Sequence, residues 1–326
     1  MKMNFRMVCM ICIAGAMASL MSSCKKNNED SASLMVSLPE MIVEDGQEER
    51  AYIDFTNGGV FKWNANDAIM VYNLDFEDGT QSVKQVYTTD ASAEGQTLTR
   101  FRGTPVGDKK DGFFYFYPAD RAIGGALDVD NRETFSISNT QTYTLDGNGN
   151  PTVDPNSLSL ACAVNEISDN FTMQHIFGVL RLKLKGTKTV DHIVIRDNKI
   201  TLSGTASLKL HKVDTDKLNQ IMDAYSQGDE NIPLMTEYLQ QLGWETNGTG
   251  KQLTLDCSNV QGVQLSSNTQ TVFYISVRPG ALIKGFYIDV HFTDGSMVTI
   301  ENYKNPKSSY CIKPGVIKGF APAQVL

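Results

Sequence analysis

The chain has 326 residues, 29 basic and 37 acidic, for a net charge of −8. That balance argues against a nucleic-acid partner and against adhesion to an anionic bilayer by charge alone. The length suggests about two domains, and six cysteines spread over it make no disulfide framework.

The first segment reads as an export signal. Lys2 and Arg6 form a positive start, Met7 to Leu20 carries no charge, and Ser22 and Ser23 are small. Leu20-Met21-Ser22-Ser23-Cys24 resembles a bacterial lipobox, with Met21 where leucine is usual, so Cys24 is the expected lipid attachment point. Removing residues 1–23 leaves 27 basic and 37 acidic residues, a net of −10. Each buried acyl methylene contributes about 0.8 kcal/mol, so several chains on one cysteine hold firmly. No second stretch of spanning length follows, and residues 24–32 read as a polar spacer.

Ser33 to Val43, SLMVSLPEMIV, is expected to be the first strand. Leu34, Val36 and Leu38 lie on one face, and Pro39 breaks it as an edge strand permits. The segment EDGQEER, ending at Arg50, is a polar, glycine-containing loop of the kind proteases cut. Ala68 to Leu74 and Gly112 to Pro118 are β-rich and aromatic. In the second of these, Phe113, Tyr115 and Tyr117 alternate against Phe114 and Phe116. Leu145 to Ser157 is a loop by its turn chemistry, and a division follows between domains at 33–168 and 169–326.

Phe177 to Gly186 alternates Leu180, Leu182 and Leu184 against Val179, Arg181, Lys183 and Lys185, as a strand with one wet side should. Apolar residues between Asp214 and Leu242 recur at helical steps, predicting a short helical insertion over 214–242. Residues 284–303 read as a hairpin with a two-residue tip at Asp294-Gly295. Short strands separated by Gly, Asn and Asp point to an all-β chain of β-sandwiches.

No motif nominates a catalytic, cofactor or metal site. His175, His192, His211 and His291 show no paired ligand spacing, and His175 is expected to be structural. Cys162, Cys257 and Cys311 read as buried small hydrophobes. Asp128 to Glu133 lacks the spacing and glycine of a calcium loop. An enzyme is therefore not expected.

Several blocks together resemble the fimbrillin family of anaerobic Gram-negative bacteria. They are RAYIDFTNGGVFKWNANDAIMVYN at Arg50 to Asn73, FTMQHIFGVLRLKLKG with the VDHIVIRDNKITLSGTASL that follows, and VFYISVRPGALIKGFYIDVHFTDGSMV with the closing YCIKPGVIKGF. The resemblance spans most of residues 50–320. It implies two tandem transthyretin-like sandwiches and an outer-membrane lipoprotein, surface-exposed or fimbrial. Its implied partners are other fimbrial subunits or itself. It also implies cleavage after Arg50, which removes the first strand and opens a groove for a strand from the next subunit. The closing GVIKGFAPAQVL is a candidate short donor, and Asp30-Ser31-Ala32 fits an O-glycosylation triplet at Ser31. The leading expectation is a fimbrial subunit, whether shaft, anchor or tip. The alternative is a surface glycan-binding module using Phe113, Tyr115 and Tyr117 as a stacking face.

Overall fold

The alternating and β-branched runs of the sequence become strands, and no helix of seven or more residues occurs among the described residues. The structure is a computed structural model that describes residues 32–39, 41–44, 62–74, 83–107, 112–122, 132–147, 149–164, 170–197, 199–209, 220, 244–246, 248–305, 307 and 310–325. The helical insertion expected over 214–242 lies outside these residues apart from Gln220.

The first strands in chain order are β1 (Ala32–Ser37), β2 (Ile42–Glu44), β3 (Ala68–Leu74), β4 (Val83–Thr88), β5 (Leu98–Gly103) and β6 (Gly112–Tyr117). Next come β7 (Arg132–Ile137), β8 (Thr140–Thr142), β9 (Thr144–Leu145), β10 (Pro151–Thr152), β11 (Leu160–Val164), β12 (Asn170–Thr172) and β13 (Gln174–His175). The chain continues with β14 (Gly178–Lys185), β15 (Thr189–Arg196), β16 (Gly204–Lys209), β17 (Trp244–Thr246), β18 (Gln252–Asp256) and β19 (Val263–Gln264). The last strands are β20 (Thr271–Val277), β21 (Tyr287–Phe292), β22 (Met297–Ile300), β23 (Val316–Gly319) and β24 (Ala323–Gln324).

An eight-stranded sheet runs in the order β12-β1-β5-β4-β3-β6-β11-β13. Its two end strands are separated in sequence by Met173 alone, so one extended segment pairs with β1 at one end and β11 at the other. The sheet thereby closes on itself, which removes free edges. Leu34, Val36, Trp63, Val71, Phe101 and Tyr115 fill its interior.

Two further sheets face each other across a second interior: β2-β23-β14-β20, with β24 also on β14, and β22-β21-β15-β18-β8, with β19 on β15. The expected alternation of β14 is present, since Leu180, Leu182 and Leu184 point into this core while Arg181, Lys183 and Lys185 are half-buried. Val179 breaks the pattern. It is on the opposite face yet fully buried, because there the sheet meets a third core containing Tyr72, Phe116, Phe135, Phe177 and Trp244. Strands β7, β16 and β17 form a small sheet over that core, where Phe135 and Trp244 pack edge to face at 5.3 Å. Glu133 is fully buried within it, accepting a hydrogen bond from the Tyr72 hydroxyl.

Strand pairing crosses residues 168/169 in both directions. β12 and β13 belong to the first sheet, whereas β2, β7 and β8 pair with β23, β16 and β18. Ser31–Leu326 accordingly form one compact unit.

Two local expectations need correction. The β21–β22 hairpin exists, but its loop is Thr293 to Ser296, with Gly295 at φ +82°. The Phe292 N–H donates to the Ser296 carbonyl and the Asp294 carboxylate accepts the Ser296 N–H, so the longer loop is satisfied from within. The second concerns the closing segment GVIKGFAPAQVL, a candidate donor by sequence. It is paired within its own chain, with β23 and β24 running parallel to β14.

Candidate functional site

The first strand sits in a slot. β1 is hydrogen-bonded antiparallel to β5, with Leu34 opposite Phe101 and Val36 opposite Thr99, and parallel to β12, with Val36 opposite Phe171. Period-two alternation puts Leu34 and Val36 inside, and Val36 is 0% exposed. Pro39 falls after the strand ends, so the missing N–H costs no ladder bond.

Trp63 closes the slot from within. Its Nε1–H donates to the Val36 carbonyl at 3.1 Å, and its ring meets Phe101 and Tyr117 edge to face at 4.9 and 5.1 Å. Further bonds fasten the end of β1: Leu38 N–H to the Thr97 carbonyl, Met173 N–H to the Ser37 carbonyl, and the Ser37 hydroxyl to the Phe171 carbonyl. Beyond Pro39 the chain continues into the other cores. Met41 is buried with Tyr72, Phe177 and Ile317, and β2 lies parallel to β23 as the outer strand of its sheet. Residues 32–44 therefore contribute to the first sheet, the shared core and the β23-β14-β20 sheet in turn.

His175, on β13, is buried beside this strap. Burial pulls its pKa down from 6.5 to about 4, partly offset by a bond to the Pro39 backbone. The folded state holds it neutral, while the unfolded chain takes up a proton below about 6.5. Stability should thus be full above pH 6.5 and fall as the pH drops towards 4, by about 3 kcal/mol from this group. Urea unfolding at pH 7, 5.5 and 4 measures the slope, and His175→Leu should flatten it over that window.

Other sequence expectations resolve differently. Phe113 and Tyr115 face the core of the closed sheet, with Tyr115 1% exposed and stacked on Phe171 at 4.0 Å. Tyr117 packs on Trp63. Those rings present no stacking face to a glycan, because the sheet curls around the side they share. Cys257 and Cys311 are buried free thiols, as expected, and burial pushes the Cys257 thiol up to about 12. Among the described residues no group of three or more His, Cys, Asp or Glu is placed to hold a metal. Cys24, Ser31 and Arg50 lie outside the described residues.

No family model matches this chain, and no curated protein matches it. Several solved structures to which it is similar come from Bacteroides. One, described as a candidate cell adhesion protein of Bacteroides ovatus, shares 13% identity over 86% of this chain and 89% of its own, with a TM-score of 0.41. A second candidate cell adhesion protein, from Bacteroides fragilis, shares 11% identity over 90% and 93%, with a TM-score of 0.39. A fimbrial protein of Bacteroides ovatus shares 12% identity over 92% of this chain, with a TM-score of 0.36; this chain spans half its length.

Proposed function

We propose that this protein is a fimbrillin-like surface adhesion subunit, exported as a lipoprotein through Cys24 and joined to its neighbours by strand complementation. In this reading two transthyretin-like sandwiches stand in tandem, with the sequence dividing near residue 168 while β12 and β13 return to the first and β2, β7 and β8 cross towards the second. The observation that carries it is the place of β1: an interior strand of a closed sheet, flanked on both sides, yet lying at the start of the folded body.

A continuous chain holds β1 in its slot at an effective concentration of roughly millimolar or more. Cutting after Arg50 removes that advantage and leaves the strand bound only by its own contacts. Once β1 departs, β5 and β12 present unpaired backbone, and the pocket around Trp63 and Phe101 loses Leu34 and Val36. A strand from another subunit satisfies both by β-augmentation. Because the closing segment is already paired with β14, the donor is a strand other than this folded tail.

Limited trypsin treatment of the purified chain tests the reading. Mass spectrometry should find a cut after Arg50, with the fragment that ends at Arg50 and carries β1 retained until mild heating. Its loss should be followed by oligomers that resist mild denaturant. A soluble, folded monomer persisting after the fragment has left would count against strand exchange.

A further inference from the structure

A pair of histidines lies on the outer face of the β21-β15-β18 sheet, well separated in sequence and unclaimed by the assembly site. His192 on β15 is the direct cross-strand partner of His291 on β21, and their rings stack with centroids 4.1 Å apart and planes 14° from parallel. The residues beside them, Ile193 and Val290, point into the core, so both imidazoles are directed away from it.

The register of β15 shifts between Val190 and His192. Consecutive strand residues normally face opposite ways, but an irregularity of this kind re-aims a side chain. Here it brings Asp191 next to His192, with Oδ2 2.7 Å from Nδ1. A carboxylate on Nδ1–H fixes the tautomer in which Nε2 keeps its lone pair, the usual arrangement behind a metal-binding imidazole. Asp256 on β18 is the cross-strand neighbour of His192, and Met297 on β22, 52% exposed, is that of His291. The Asp256 carboxylate already accepts from Ser258 N–H and Oγ–H, so it supplies negative potential and not a free ligand. Asp289 is likewise taken up by Arg196 and Thr299.

We propose that His192 and His291 form a two-histidine surface site for a divalent transition-metal ion, zinc in the first place, with Asp191 as the residue that orients His192. Zinc takes imidazole nitrogens at about 2.0–2.1 Å, so two of them on one tetrahedral ion stand about 3.4 Å apart. Near-parallel rings hold their in-plane lone pairs side by side, so binding requires one imidazole to turn about its Cβ–Cγ bond until both lone pairs face the same ion. Water or a group from outside the chain fills the remaining positions, which makes the site open to solvent. Imidazole pairs suit zinc, nickel and copper, and select against magnesium and calcium.

Isothermal titration of the full chain with zinc chloride tests the proposal. One equivalent should bind, and either His192→Asn or His291→Gln should abolish that uptake. Asp191→Asn should weaken it about 10- to 100-fold, while His211→Gln should leave it unchanged. A substitution-free check is imidazole C–H NMR of the unmodified protein, where zinc should shift two histidine signals that belong to 192 and 291 and leave that of His175 in place. Absence of saturable binding, or binding retained in both histidine variants, overturns the site.

Discussion

Val36→Asp should destabilise the protein by about 3–5 kcal/mol, the order of cost for leaving a buried charge without a partner. Val36 is 0% exposed, and its cross-strand neighbours Thr99 and Phe171 offer no cation. Met35→Asp, one residue away, should cost no more than about 1 kcal/mol. Met35 points to the other face and lies opposite Arg100, so the new carboxylate meets solvent and a guanidinium. A one-residue shift exchanges inside for outside in any strand. Urea unfolding of the two variants, followed by circular dichroism, measures the contrast. Equal costs would mean that β1 does not occupy the slot between β5 and β12.

Trp63→Ala should cost about 3–5 kcal/mol, the range for removing a large aromatic from a packed interior. Trp63 is 1% exposed and contributes both ring contacts and a hydrogen bond to the Val36 carbonyl. Trp63→Phe separates the two contributions: it keeps an aromatic ring but leaves that donor out, and should cost about 1–2 kcal/mol. Both variants should accelerate amide hydrogen exchange along residues 33–37 more than along β20, because the lost contacts hold β1 and not the β14–β20 pair. Thermal melts and exchange by mass spectrometry supply the two readouts.

Much of the fold was legible because its signal is local. The β14 leucines declare their inner face through alternation, and the aromatic runs at 68–74 and 112–117 are buried on both sides. What alternation cannot declare is which core a buried face enters. Val179 reads as part of the wet face of β14 and is buried all the same, since Phe177, Phe135 and Trp244 cover that end of the strand. Phe113 and Tyr115 read first as core, with a stacking face as the alternative, and the curling of the sheet puts them in the interior. The His192–His291 pair was invisible for a related reason: ligands on neighbouring strands carry no fixed sequence spacing.

The sequence by itself determined that the chain is all-β, that Leu34 and Val36 share a buried face, and that Cys257 and Cys311 are interior thiols, because side-chain period and polarity act on a few neighbouring residues. Tertiary structure alone decided that β1 is an interior strand, that β2 pairs with β23, and that the closing segment is already paired. Strand order joins residues more than a hundred positions apart, and the hydrogen bonds that select it depend on where every other strand has already found its partner.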